Sequence, residues 1–219
     1  MSAPKTGVYE IIIASPTDAY TSNNAIIDEG LSLIATQTSH PILSGSQVDA
    51  PAESPKLYVF IGWDSIEHHL SARNSSEYET LKPALGKVFA STSTPDVVHV
   101  VFSPDALPVL RAPVTEIAWC TAKAGANDKE AGDKILQAAQ RAAELIASRN
   151  IATAYGQVVE RPGEVVLIVG WDSLEAHQAF LAKKDPAFGP IVQEWASLAT
   201  IAVGHTAFRP NSGVPQSSL

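Results

Sequence analysis

Short runs dense in β-branched residues alternate along this chain with longer stretches in which apolar residues return every three or four positions. Residues 8–14 and 114–121 are runs of the first kind and predict strands. Residues 129–149 are of the second kind: Ile135, Ala138, Ala142, Leu145 and Ile146 form one stripe among Ala, Gln and Glu, the pattern of an amphipathic helix. Its counterpart at 24–37 is shorter and carries Ile26, Ile27, Leu31, Leu33 and Ile34. Further strands are expected at 43–48 and 153–160, at 57–62 and 165–170, and at 97–102 and 200–208. A second helix should end near Arg73 in one half and Lys183 in the other, followed by a shorter helical piece ending near Ser91 or Leu198.

These paired ranges are a repeat. Gly62, Trp63, Asp64, Ser65, Glu67 and His69 return as Gly170, Trp171, Asp172, Ser173, Glu175 and His177 at one constant spacing, 171 − 63 = 108. Val8, Glu10 and Ile11 match Val114, Glu116 and Ile117 at 106, Gln47 and Val48 match Gln157 and Val158 at 110, and His99 and Phe102 match His205 and Phe208 at 106. Offsets that drift by a few residues are what short loop insertions produce. Two repeats are therefore expected, 7–102 and 113–208, with a linker at 103–112 holding Pro104 and Pro108 and a polar tail at 209–219 that should fray.

Each repeat runs β-α-β-β-α-β, the ferredoxin-like order. Asp64 and Asp172 stand where an N-cap belongs, with Glu67 and Glu175 three residues on, so all four are explained as a capping box without any chemistry. An antiparallel sheet with helices on one face leaves the other bare, and 58–61 and 165–169 are near-continuous apolar runs that do not alternate. That second face needs cover. The other repeat, tethered by the linker, is the partner at hand, so the expected fold class is α+β, two ferredoxin-like repeats packed sheet to sheet as an intramolecular barrel.

At the first strand (Val114, Thr115, Glu116, Ile117) and the third-strand junction (Gly170 to His177, with their first-repeat equivalents), the chain resembles the dimeric α+β barrel superfamily. More narrowly, it is similar to fungal tandem proteins with antibiotic-biosynthesis-monooxygenase-like domains. The resemblance spans nearly the whole chain and implies a cavity between each sheet and its helices that admits a small apolar molecule. It implies no one activity, because the superfamily holds cofactor-free oxygenases, polyketide cyclases, decarboxylases and haem-degrading enzymes. Some of its cyclases pair a Tyr on the second helix with a His in the following turn. Those positions fall on Phe180 and Phe188 in the second repeat and near Ala72 and Tyr78 in the first, so that dyad is missing.

Candidate chemistry comes from polar residues on apolar faces. His69 and His177 fall three residues after Ile66 and Leu174, on the inward stripe, where an imidazole can act as acid or base near neutral pH. His99 and His205 alternate onto an apolar face of the last strand, and Glu10 and Glu116 share the face of Val8, Ile12, Val114 and Ala118, where burial would raise a carboxyl pKa. Tyr78 adds a hydroxyl. Trp63, Trp171, Trp119, Arg73, Phe180 and Phe188 complete the set as substrate-binding candidates, and the more polar first repeat is the expected seat of catalysis.

Composition narrows the classes. With 45% hydrophobic residues the chain can bury a sizeable core, and 15 Lys and Arg against 23 Asp and Glu, net charge −8, leave no basic footprint for nucleic acid or anionic membrane. The lone Cys120 fits a reducing compartment and a buried small hydrophobe. No apolar run approaches the roughly 18 residues of a membrane helix, and residues 1–7 lack a signal-type apolar core, so a cytoplasmic protein is expected. The six His look scattered, without ligand spacing or a Cys pair, so neither metal nor cofactor is expected, and there is no phosphate loop or dinucleotide fingerprint. The expectation is a cofactor-independent enzyme acting on a polyketide-like or aromatic metabolite, by proton transfer or direct oxygenation. A non-catalytic stress or carrier protein for small hydrophobic ligands is the alternative, haem degradation a third, and pairing into a homodimer is left open.

Overall fold

The computed structural model describes residues 7–92 and 94–211. The fold is α+β, with two antiparallel sheets. The described residues divide into two compact units, 7–99 with 209–211, and 100–208.

In unit 1 the strands are β1 (Val8–Ala14), β2 (Ile42–Ser46), β3 (Leu57–Trp63) and β4 (Asp96–Val100), with β9 (Arg209–Pro210) added at the edge; the sheet order is β4-β1-β3-β2-β9. Its helices are α1 (Asp18–Ser22), α2 (Ile27–Ile34), α3 (Ile66–Arg73) and α4 (Ser76–Leu85). β1 and β3 pair antiparallel with Val8 opposite Trp63 and Glu10 opposite Ile61. Period 2 then puts Leu57, Val59, Ile61 and Trp63 on one face, where they pack with Val8, Ile12, Ile27, Leu31, Ile34 and Leu81. Tyr58 and Phe60, on the opposite face, are buried too, which accounts for the unbroken apolar run of β3.

Unit 2 holds α5 (Leu107–Leu110), β5 (Val114–Ala122), α6 (Lys129–Ala147), β6 (Thr153–Gln157), β7 (Glu164–Trp171), α7 (Leu174–Ala182), α8 (Phe188–Leu198) and β8 (Ala199–Thr206), with sheet order β6-β7-β5-β8. The expected stripe on α6 is its buried face: Ile135, Ala138, Ala139, Ala142 and Ile146 pack with Val165, Leu167 and Val169. Asp128 caps this helix by accepting from the Ala131 amide.

Four expectations are corrected. The linker at 103–112 is not a free tether: Ser103 pairs with Tyr155, and Ala106, Val109 and Leu110 are fully buried, because an apolar α5 has surface to hide. The tail does not fray at its start, since Arg209 and Pro210 pair with β2 and the Asn211 amide donates to the Ile42 carbonyl. The helix expected over 24–37 is shorter, a 3-10 turn at Asn24–Ile26 leading into α2, and Thr17 caps an extra helix ahead of it. The N-caps are Ser65 and Ser173, one residue beyond the expected Asp: each hydroxyl accepts the amide three residues on, His68 or Ala176. The extended backbone of these serines places the oxygen over the first turn, leaving Asp64 for other partners.

Candidate functional site

β1 places Glu10 toward the helices, β3 ends on Trp63, α3 carries His69 on its buried side, and β4 supplies His99. The four side chains meet. The Trp63 indole N–H donates to Glu10 Oε2 at 3.0 Å, His69 Nε2 lies 3.4 Å from the same oxygen, and His69 Nδ1 is 2.7 Å from His99 Nε2. The imidazole of His69 stacks on Trp63 with ring centroids 4.9 Å apart and planes at 21°. Unit 2 repeats the arrangement: Trp171 to Glu116 at 2.8 Å, His177 Nε2 to Glu116 at 3.4 Å, His177 Nδ1 to His205 Nε2 at 2.8 Å, and a 4.7 Å stack of His177 on Trp171. The strand register explains the second cluster, because Glu116 and His205 are direct cross-strand partners and Val114 faces Trp171.

Burial governs the electrostatics of unit 1. Glu10 is 3% exposed, and desolvation pushes its pKa from 4.5 up to about 7, opposed by the Trp63 hydrogen bond and by the charges of His99 and Arg73. Burial also raises the Tyr78 hydroxyl pKa, with the Glu10 charge adding to the rise and Arg73 working against it. Tyr78 and Glu10 therefore feel each other. Arg73, in the last turn of α3, is an exposed cation acting on both.

Beside this cluster lies a small apolar cavity lined by Leu33, Ile34, Gln37, Trp63, Ala72, Ser75, Tyr78 and Leu81. Trp63 is the wall shared by cavity and cluster. In unit 2 the Phe180 ring packs 5.2 Å from Trp171 and Phe188 meets Phe180 edge-on at 5.9 Å. Phe180 and Phe188 are thus packed on one another.

The six His are not scattered, as their spacing suggested. Four of them form the two pairs, and the ligand atoms of Glu116, His177 and His205 lie within 4.8 Å of one another. Yet the contacts run in a line: Glu116 meets Nε2 of His177 while His205 meets Nδ1, on the opposite side of the ring. One ion cannot take all three without turning the imidazole, so as it stands the set offers two facing donors and a backing partner, the arrangement of a proton relay. His40 and His68 form a further group that spacing did not reveal. His40 Nε2 is 2.8 Å from Asp64 Oδ1 and His68 Nδ1 3.1 Å from Asp64 Oδ2, so both imidazoles share one carboxylate. Trp119 lies apart, alternating to the other face of β5 from Glu116, where its N–H donates to Glu164 and the Arg161 guanidinium sits 5.8 Å over its ring.

No protein-family model matches the sequence, and no curated protein matches it. Solved structures do. An anthrone oxidase-like protein superposes with a TM-score of 0.69 at 14% identity, over 100% of this chain and 99% of that one. A candidate monooxygenase from Fusobacterium nucleatum gives 0.66 at 6% identity, over 95% of each chain, and another from Lactobacillus acidophilus gives 0.60 at 12%, over 94% and 95%. The shared property is the fold. It is of the dimeric α+β barrel type. Among the described residues no helix is long and apolar enough to cross a membrane.

Proposed function

We propose that the chain is a cofactor-independent enzyme that removes a proton from a small aromatic carbonyl compound at the unit 1 cluster and passes the resulting anion to dioxygen. What carries this reading is one juxtaposition: a buried carboxyl, Glu10, held near neutral pKa within electrostatic reach of the Tyr78 hydroxyl that lines an apolar cavity. A base poised near the working pH loses least between being deprotonated and being strong. In this reading Tyr78 and Ser75 hold the substrate oxygen, Glu10 accepts the proton, and the His69–His99 pair spreads the charge. The carbanion of an activated CH₂ adds O₂, and the hydroperoxide loses water to leave a carbonyl, so CH₂ and O₂ become C=O and H₂O. The monooxygenase-named and anthrone oxidase-like neighbours are compatible with that chemistry.

The test is oxygen uptake with a panel of aryl ketones bearing an acidic CH₂, comparing the full chain with Glu10→Gln and Tyr78→Phe. A loss of roughly 10²- to 10⁴-fold in Glu10→Gln is expected of a general base, and unchanged turnover in that variant would remove Glu10 from the account. A second reading is ligand binding without turnover. It is favoured by the recurrence of the cluster in unit 2 with the same contacts, as expected of a network that the fold itself requires. Saturable ligand binding with no product from any compound on the panel would select it.

A further inference from the structure

The two units differ at a second place, on the outer side of the helix that follows the GWDS junction. Unit 1 surrounds Asp64 with imidazoles: His68 Nδ1 lies 3.1 Å from one carboxylate oxygen and His40 Nε2 2.8 Å from the other. The His68 ring also meets Trp63, with centroids 5.3 Å apart and planes at 87°, so one nitrogen heterocycle touches both the indole and the carboxylate. Unit 2 keeps the Trp and the Asp but neither imidazole. The constant spacing of 108 puts Ala176 at His68. Strand pairing puts Ile151 at His40, because the Gly62 amide donates to the Pro41 carbonyl as the Gly170 amide does to that of Ala152. The exposed Asp172 carboxylate is left with neither hydrogen bond nor ion pair among the described residues.

Trp171, Asp172, Ile151 and Ala176 line a half-open pocket of about 540 Å³, within the roughly 300–1,000 Å³ of small-molecule sites. One side of it is α7 and its C-cap, where Ala176, Ala179, Phe180 and Lys183 fall at i, i+3, i+4 and i+7 on one helix face. The Trp171 and Phe180 rings, 5.2 Å apart, both belong to the lining.

We propose that this unit 2 pocket binds a small organic cation, a protonated or quaternary amine on an apolar body, with its nitrogen seated between Trp171 and Asp172 where unit 1 places the His68 ring. The carboxylate sets the sign of the ligand, and aromatic rings add to the hold on an ammonium group. Lys183 does not neutralise Asp172. It stands at the far end of the nine-residue α7, about 13 Å along the helix, beyond the roughly 8 Å over which exposed charges act at physiological salt. The net charge of −8 favours approach of a cation, and Ile151 and Ala179 supply apolar contact for the body behind the nitrogen. The site requires no turnover in unit 1.

Calorimetric titration of the full chain with benzyltrimethylammonium, whose charge is fixed, tests this, with benzyl alcohol and phenylacetate as neutral and anionic counterparts. The cation should bind one site, at least tenfold tighter than benzyl alcohol, with phenylacetate weaker still. Asp172→Asn should weaken the cation at least fivefold and leave benzyl alcohol unchanged, while Asp64→Asn should alter neither. Ala176→His, which gives unit 2 the ring that unit 1 carries, should weaken the cation at least tenfold; Ala176→Leu serves if that variant does not fold. Absence of cation binding, affinity unchanged by Asp172→Asn or by filling at Ala176, or a preference for phenylacetate that Lys183→Gln removes would each overturn the proposal.

Discussion

Replacing Glu10 by Gln converts the cost of a buried carboxyl into a pH dependence of stability. Burial lifts the Glu10 pKa from 4.5 to about 7, so between those values the folded protein keeps a proton that the unfolded chain has released. Stability therefore falls as pH rises from about 4.5 through about 7 and is level above that; below 4.5 both states are protonated and Glu10 contributes no slope. At about 1.4 kcal/mol per pKa unit, the displacement corresponds to a loss of about 3 kcal/mol. Gln has nearly the same volume and no charge, and its carbonyl oxygen can still accept the Trp63 N–H that reaches Glu10 Oε2 at 3.0 Å.

Urea unfolding of the full chain and of Glu10→Gln, measured in steps from pH 4.5 to 8, isolates this group because every other titration is common to both proteins. The two should be about equally stable at pH 4.5, and the variant should lead by up to about 3 kcal/mol at pH 8. A difference that does not change with pH would refute the account. So would the reverse trend, wild type gaining on the variant as pH rises, which would mean that an imidazolium at His69, 3.4 Å away, stabilises the carboxylate by more than burial penalises it.

Trp63→Phe removes the indole N–H that donates to the buried Glu10, and should cost about 1–3 kcal/mol in denaturant titration, more at pH 8 than at pH 5 because the charged carboxylate needs the donor more. Gly132→Ala should destabilise by about 1–3 kcal/mol despite the roughly 1 kcal/mol gained in helix propensity, because a Cβ there runs into the Pro162 carbonyl oxygen; a raised melting temperature would show that the 162 turn yields. Arg209→Ala should cost about 1 kcal/mol and speed hydrogen exchange of the β2 amides, through loss of the Asp28 ion pair at 3.0 Å and the bond to the Asn24 carbonyl. Cys120 is fully buried and its thiol pKa is pushed far above the ordinary range, so a thiol reagent should leave it unmodified in the native protein and react in concentrated denaturant; fast native labelling would contradict its placement.

The repeat and its elements were open to reading because they rest on local pattern. The GWDS echo needs no geometry, and the 3.6-residue stripe on 129–149 is a property of neighbouring turns. The inward direction of His69 and His177 follows from the same spacing. What spacing could not supply is that each meets a second imidazole 30 or 28 residues away, on a strand that is an edge of its sheet. Such contacts depend on register between elements. In unit 2 a one-residue slip of β8 against β5 would turn His205 away from Glu116. The same blindness made the His residues look scattered, placed the N-cap on Asp64 when the Ser65 hydroxyl had the better reach, and took an apolar helix at Leu107–Leu110 for a linker.

A duplicated chain separates what the fold requires from what a ligand requires. The Glu–Trp–His–His contacts agree between units to within 0.2 Å, as 3.0 against 2.8, 3.4 against 3.4 and 2.7 against 2.8 Å. Agreement of that kind is expected of a network that orders the junction between sheet and helix, since a partly satisfied buried network would destabilise either unit alike. The differences lie one layer out, where Ala72 and Tyr78 stand for Phe180 and Phe188. They change nothing in the network itself, yet they exchange two packed rings for a methyl group and a phenol hydroxyl. Whatever distinguishes the chemistry of the two units therefore has to come from that outer layer, where unit 1 sets a hydroxyl near Glu10 and unit 2 sets only rings beside Trp171.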